Sequence, residues 1–152
     1  MGAVFTPEEC QFLEGQEMGR LATVGSGGLP HVMPVSFELN RELQTIDIGG
    51  WKLTSTLKYR HVANSGVAAF VVDDVLPPFL PRLLEVRGRA EVTESDDRPL
   101  IRIWPRLVLS RGLDGATHLV RRRVDEVPSL SEDGPAGGAG GAGGPARSPA
   151  GD

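Results

Sequence analysis

A chain of 152 residues with a formal net charge of -4 has room for one ordinary domain and lacks the basic balance of a dedicated nucleic-acid binder. Its single cysteine, Cys10, excludes an intramolecular disulfide and a cysteine-rich metal site. No apolar run is long enough for a membrane span, and the opening Met-Gly-Ala-Val-Phe-Thr-Pro has neither the basic nor the apolar part of a secretory signal. A cytoplasmic protein without membrane or nucleic-acid partners is therefore expected.

Thr6-Pro-Glu-Glu9 predicts a helix start, with Thr6 as cap, Pro7 in the first turn and Glu9 closing a capping box. Phe12 and Leu13 give that helix an apolar edge. Leu21-Ala-Thr-Val24 is a short strand, and Gly25-Ser-Gly-Gly28 is a turn. It is not a phosphate loop, because extended Pro30-His-Val-Met-Pro-Val-Ser-Phe37 follows it rather than a helix. Pro34 cannot donate to a ladder and marks an edge or opening.

Leu39-Asn-Arg-Glu42 reads as a turn, and Leu43 to Ile48 alternates in polarity. Gly49-Gly50 then lets the chain leave the sheet. Leu53 and Leu57, four apart, predict one helix running to about Asn64. Val67 to Val72 is an apolar strand that Asp73-Asp74 ends. Leu76 to Pro81 holds three prolines and is expected to be a loop.

Leu84 to Val92 alternates, with Leu84, Val86, Gly88, Ala90 and Val92 on one face and Glu85, Arg87, Arg89 and Glu91 on the other. Leu100 to Ser110 is a last strand, interrupted at Pro105. Six short strands with two helices and tight turns predict a mainly β, antiparallel barrel. Residues 1–113 form the expected domain. Residues 114–152 are expected to be a flexible Gly/Ala/Pro-rich tail with almost no large apolar side chains. The run Arg121-Arg122-Arg123 reads as a solvated junction at its start.

Chemistry-bearing residues concentrate at Thr54-Ser55-Thr56-Leu57-Lys58. The first N–H groups of a helix attract an anion, the hydroxyls add donors, and Lys58 adds a charge where the dipole disfavours one. The plainer reading makes Ser55 or Thr56 a cap and Lys58 a solvent residue. His31, His61 and His118 show no metal-ligand spacing, so no metal is expected. No serine stands in a nucleophile elbow.

The order Gly19-Arg-Leu-Ala-Thr-Val, Gly28-Leu-Pro-His-Val-Met-Pro-Val-Ser-Phe, Thr45-Ile-Asp-Ile-Gly-Gly, Thr56-Leu-Lys, Val67-Ala-Ala-Phe-Val-Val-Asp-Asp, Leu84-Glu-Val-Arg-Gly-Arg-Ala-Glu-Val and Ile101-Arg-Ile-Trp-Pro-Arg carries a resemblance. It resembles the split β-barrel family of flavin and deazaflavin oxidoreductases, the FMN-binding split barrel type, whose founding member is pyridoxamine 5'-phosphate oxidase. It looks closest to actinobacterial-type members assigned to coenzyme F420, and the likeness spans Phe5 to about Leu113.

The resemblance implies a six-stranded split β-barrel that works as a homodimer with the cofactor at the interface. It implies cofactor contacts from Met33, Pro34, Val35 and Ser36 at the ring, from Gly49 and Gly50, and from Ser55, Thr56 and Lys58 at the phosphate. Lys52, Arg60, Arg87 and Arg89 would form a basic path for the anionic oligoglutamyl tail of F420. Trp51 and Trp104 would wall a substrate pocket or lie in a dimer core.

The implied reaction is hydride transfer from reduced coenzyme F420 to an unsaturated organic acceptor, polycyclic or aromatic. The closing proton would come from solvent, His31 or Tyr59. The alternatives are an FMN-dependent oxidase or reductase of the pyridoxamine phosphate oxidase type, and a non-enzymatic flavin or haem-binding protein. The chain departs from the group in carrying Trp104 and Arg111 where a His and a Trp are usual.

Overall fold

The computed structural model of the chain describes residues 3–115 and 117–124. Its elements are α1 (Pro7–Glu14), β1 (Met18–Val24), β2 (Pro30–Ser36), β3 (Glu38–Asn40), β4 (Thr45–Ile48), α2 (Leu57–Ser65), β5 (Val67–Leu76), β6 (Leu80–Ser95), β7 (Arg98–Arg111) and β8 (Val120–Arg123). A single 3-10 turn, Leu53–Ser55, precedes α2. The expected mainly β, antiparallel architecture is what the chain adopts.

The strands run β2-β1-β5-β6-β7-β4-β3, with β8 added on β7. β2 and β3 lie at opposite ends of this order, yet only Phe37 separates them in the chain. The sheet must therefore curl until its two ends meet, and because those ends are not paired to each other the barrel stays open along that seam. Phe37 packs there against Phe70, with ring centroids 4.8 Å apart. Inside lie Leu21, Ile46, Ile48, Phe70, Val72, Leu84, Val86, Ile101, Ile103 and Val108, the inward positions of alternating strands. Phe12 and Leu13 of α1 and Val62 of α2 close the barrel from outside the sheet. Among the described residues no helix is long and apolar enough to cross a membrane.

Several sequence expectations change. Among the described residues eight strands form rather than six: Glu38–Asn40, expected in a turn, pairs with β4, and Val120–Arg123 pairs with β7. The expected single helix from Leu53 is broken at Thr56, whose backbone is extended (φ -90, ψ 154), into the 3-10 turn and α2. α2 stops at Gly66 in the left-handed region (φ 69), where its N–H reaches Val62 O. The proline-rich loop contracts to a hairpin tip, with Leu76 paired to Leu80 and Val75 to Pro81. The expected interruption at Pro105 is a bulge within one continuous strand: the ladder shifts register there, Gly88 facing Pro105 and Arg87 facing Leu107, so Arg106 is the extra residue.

The arginine run is not uniformly solvated. Arg122 turns inward and gives Nη1 and Nη2 to the buried Glu9 carboxylate at 3.1 and 2.7 Å, and Nη2 to Val4 O at 2.7 Å. Glu9 also completes the predicted capping box with Thr6. Thus β8 clasps the α1 start, and the rest of the expected tail, from 125 on, lies outside the described residues. Arg122→Ala strands a buried carboxylate, partly relieved because the arginine is itself about a third exposed (34%). A loss of about 1–3 kcal/mol in urea unfolding is expected; an unchanged midpoint would remove the clasp from the stability account.

Candidate functional site

The start of α2 is built around one hydroxyl. Thr56 Oγ1 donates to Leu53 O at 2.6 Å and accepts from Tyr59 N at 3.4 Å, tying the 3-10 turn to the helix. Arg60 N already reaches Thr56 O at 3.3 Å. The N–H groups of Leu57 and Lys58 are left outside the helical ladder, open to an anion. Thr56 is therefore a cap, and what it offers a ligand is the shape of this turn rather than a spare proton.

Three cations surround the turn. Lys58 is half-buried, Lys52 and Arg60 are exposed, and none of them forms an ion pair among the described residues. Lys52 Nζ stands 4.4 Å from the centroid of the Trp51 ring. Trp51 is 86% exposed on the loop that leaves β4. Beside it Gly49 and Gly50 face open space, since a Cβ on either would meet nothing within 4 Å. A basic turn thus adjoins a bare backbone step.

β2 sits at the end of the strand order and, among the described residues, pairs only with β1. That leaves one backbone edge free, and Pro34 fits there because it has no N–H to place. Alternation divides the expected ring-side block between two faces. Met33 and Val35 follow His31 on one, and Val35 is buried in the core. Pro34 and Ser36 point to the other, opposite Arg20 and Met18 of β1. A flat ring resting on side chains meets one pair only.

That second, outward face is apolar around Val32, Ala22 and Ala69 and carries Arg20, Arg87 and Arg89 beside them. Rows of cross-strand partners run Val32, Ala22, Ala69, Arg87, Leu107 and, beside them, Pro30 to Val24 and Val67 to Arg89. All of these but Val32 line a cleft of about 690 Å³, together with Arg106. Val32, on the same face, is 63% exposed.

The expected basic path is thinned. Arg87 is paired with Glu85 and Arg89 with Glu91, so Lys52 and Arg60 carry the unpaired charge. Trp104 is held on the β6–β7 surface, its Nε1 donating to Glu91 Oε1 at 2.9 Å with Arg89 stacked 5.4 Å from its ring. It makes no ring contact with Trp51. Arg111 is exposed at the end of β7. Ser55 is exposed beside the cap, and Tyr59 packs against the core.

Sequence reading did not foresee a cluster under α2. Thr23 Oγ1 lies 3.0 Å from His61 Nδ1, and His31 meets the His61 ring edge to face. His118 is exposed elsewhere. No group of His, Cys, Asp and Glu suited to a metal ion occurs among the described residues. Cys10 is buried, and burial pushes its thiol pKa up against the pull of Arg41, which leaves it a poor nucleophile.

Residues 5–127 match the family described as pyridoxamine 5'-phosphate oxidase. A 5a,11a-dehydrotetracycline/5a,11a-dehydrooxytetracycline reductase of Streptomyces rimosus subsp. rimosus is 40% identical over 121 residues, covering 73% of this chain and 85% of that one. Among solved structures, a conserved hypothetical protein of Mycobacterium tuberculosis, Rv2991, aligns with a TM-score of 0.60 at 18% identity, covering 71% of this chain and 85% of the other. The FAD binding protein of Mycobacterium smegmatis aligns at 0.55 and 21%, covering 70% and 93%. These two are likenesses of fold.

Proposed function

Since the chain belongs to the pyridoxamine 5'-phosphate oxidase family, we propose that it is a reductase that passes hydride from reduced coenzyme F420 to an unsaturated, polycyclic acceptor. The observation that carries this reading is the 40% identity to a dehydrotetracycline reductase across 85% of that enzyme's length. Family membership alone supports an oxidoreductase; the relative supports the direction and the acceptor class. The case for F420 over FMN is the resemblance of the strand and helix-start motifs to deazaflavin-type members, together with unpaired Lys52 and Arg60 outside the phosphate turn.

The residues present suit an anionic cofactor. The open N–H groups of Leu57 and Lys58 and the Lys58 ammonium would hold its phosphate. Ser55 adds a hydroxyl, and the bare Gly49-Gly50 step lets a planar group approach the backbone. Met33 would support the ring from β2. When bound, the reduced deazaflavin supplies the hydride; the protein supplies binding, orientation and exclusion of water. Trp51, exposed on the adjoining loop, is the aromatic wall suited to a flat acceptor.

The proposed homodimer would use the apolar part of the outer face of β2, β1 and β5. Placed in the cytoplasm, such a dimer would enclose two cofactors at its seam. Lys58→Ala removes one charge-assisted contact and is expected to weaken F420 binding about ten- to hundredfold. Fluorescence titration of the purified chain reads this directly, and unchanged affinity would take Lys58 out of the site.

A further inference from the structure

Three side chains that the proposed cofactor contacts leave unused meet where α2 crosses the β1–β2 hairpin. Thr23 and His31 are direct cross-strand partners, so their side chains leave the same face of the ribbon. His61 comes onto them from α2. Its Nδ1 lies 3.0 Å from Thr23 Oγ1, and its ring meets that of His31 with centroids 5.9 Å apart and planes at 90°. Gly25 receives the other ring edge, since a Cβ there would lie 2.8 Å from His61 Nε2. The imidazole is thus held by a hydrogen bond, a ring edge and a backbone seat. Thr23 is buried, which leaves its hydroxyl dependent on that one partner.

The cluster has two routes to the proposed site. The β2 face carrying His31 continues to the exposed Met33. On α2, His61 stands three residues after Lys58 and shares its flank. The pair therefore links the strand assigned to the ring with the turn assigned to the phosphate. Nothing in the apolar core around Val62 and Leu21 requires two imidazoles there.

We propose that His31 is the proton donor of the reduction and that His61, fixed by Thr23, is the residue that positions it. This rests on the reductase reading. Hydride adds to one carbon of an activated C=C bond, and the displaced π pair moves towards the carbonyl as an enolate. The second carbon then forms a C–H bond with the proton of the His31 imidazolium as that N–H bond breaks. Neutral His31 takes a proton back from solvent. One hydride and one proton have crossed the double bond, the acceptor gaining two electrons and the cofactor losing them.

The test uses the full chain and three variants, His31→Gln, His61→Gln and Thr23→Val. In the cofactor-free protein, ¹⁵N-edited NMR of the imidazoles is expected to find His61 in one tautomer, and Thr23→Val to mix its tautomers and move the His31 resonances. In turnover with reduced F420 and a dehydrotetracycline, His31→Gln is expected to lower kcat about hundredfold with KM within about twofold, and to leave a solvent isotope effect on kcat at least as large as the parent's. His61→Gln should cost about tenfold in kcat. Turnover of the parent with undiminished kcat in His31→Gln would overturn this proposal alone. Absence of turnover in the parent, with either reduced F420 or reduced FMN, would overturn the reductase reading and this proposal with it.

Discussion

Gly88→Ala is expected to be the most destabilising single methyl that can be added to this barrel. A Cβ at Gly88 would lie 1.9 Å from Trp104 O, 2.9 Å from Trp104 C and 3.1 Å from Arg106 N. All three are backbone atoms, so no side chain can swing aside. The contact falls at the bulge where Gly88 faces Pro105 and Arg106 is the extra residue. Relief requires β6 and β7 to part in the middle of their ladder, between Val86 and Ala90 on one strand and Ile103 and Val108 on the other, all buried. Overpacking of this kind costs on the order of 3 kcal/mol or more, a large share of a typical domain's stability. A fall in Tm of roughly 10 °C or more is the expected readout. A Tm within about 2 °C of the parent would mean that the bulge yields without disturbing the core.

The second large effect is expected at Arg102→Ala. Asp47 of β4 and Arg102 of β7 are direct partners across the ladder. Arg102 Nε and Nη2 each reach an Asp47 oxygen at 2.9 Å. Asn40 Nδ2 and Thr45 Oγ1 donate to the same carboxylate at 3.1 and 2.9 Å. The side chains are only 13% and 11% exposed, so solvent does little to screen the pair. Burial pushes the Asp47 pKa up, but the hydrogen bonds from Arg102, Asn40 and Thr45 and the Arg102 charge together hold it below the usual carboxylate range. Removing the arginine leaves a nearly buried charge with two neutral donors, a loss of about 3–5 kcal/mol at neutral pH.

The pH dependence of that loss has a definite sign. A carboxyl with a depressed folded pKa contributes stability above its unfolded pKa, about 3.9, and that contribution is lost as pH falls through the folded value. In Arg102→Ala burial persists without its main compensation, so the folded pKa of Asp47 rises. The gap between parent and variant is therefore expected to be widest near neutral pH and to narrow below about pH 4. Urea unfolding of both proteins across that range measures it. A gap that stays constant with pH would assign the loss to packing of the arginine stem instead.

The strands that the sequence makes legible are those long enough to alternate. β4 and β6 show their inward residues by alternation, β1 and β5 show only as short apolar runs, and the barrel follows from their number and short turns. β3, three residues long, is too short for periodicity to register, and β8, as short as β4, lacks the polarity alternation that the run from Leu43 to Ile48 shows. Arg121-Arg122-Arg123 also reads as charge before it reads as strand. What turns Arg122 inward is Glu9, 113 positions away, and nothing local announces it. The prolines at 77, 78 and 81 signal a break, and only the ladder between β5 and β6 confines it to a hairpin tip.

The site divides in the same way. Thr56 is readable as a helix start from its hydroxyl and its place before an apolar helical face. Arg87 and Arg89 pair with Glu85 and Glu91 on the strand face that alternation assigns to all four. The lack of an acidic partner for Lys58 and Arg60 among the described residues depends instead on what α2 packs beside. Met33 to Ser36 form one block in the sequence, yet the pleat sends Val35 into the core and Ser36 to the outside. The His61 cluster is invisible to spacing because Thr23 stands 38 residues from its partner. Gly25 looks like an ordinary turn glycine until the imidazole is seated against it.

The central claim is the identity of the bound cofactor. Purified full-length chain titrated with coenzyme F420 and, separately, with FMN, and followed by fluorescence, tests it most directly. Preferential binding of F420, weakened in Lys58→Ala, is the predicted result. Preferential binding of FMN would contradict the account and make the protein a flavin enzyme on the same barrel.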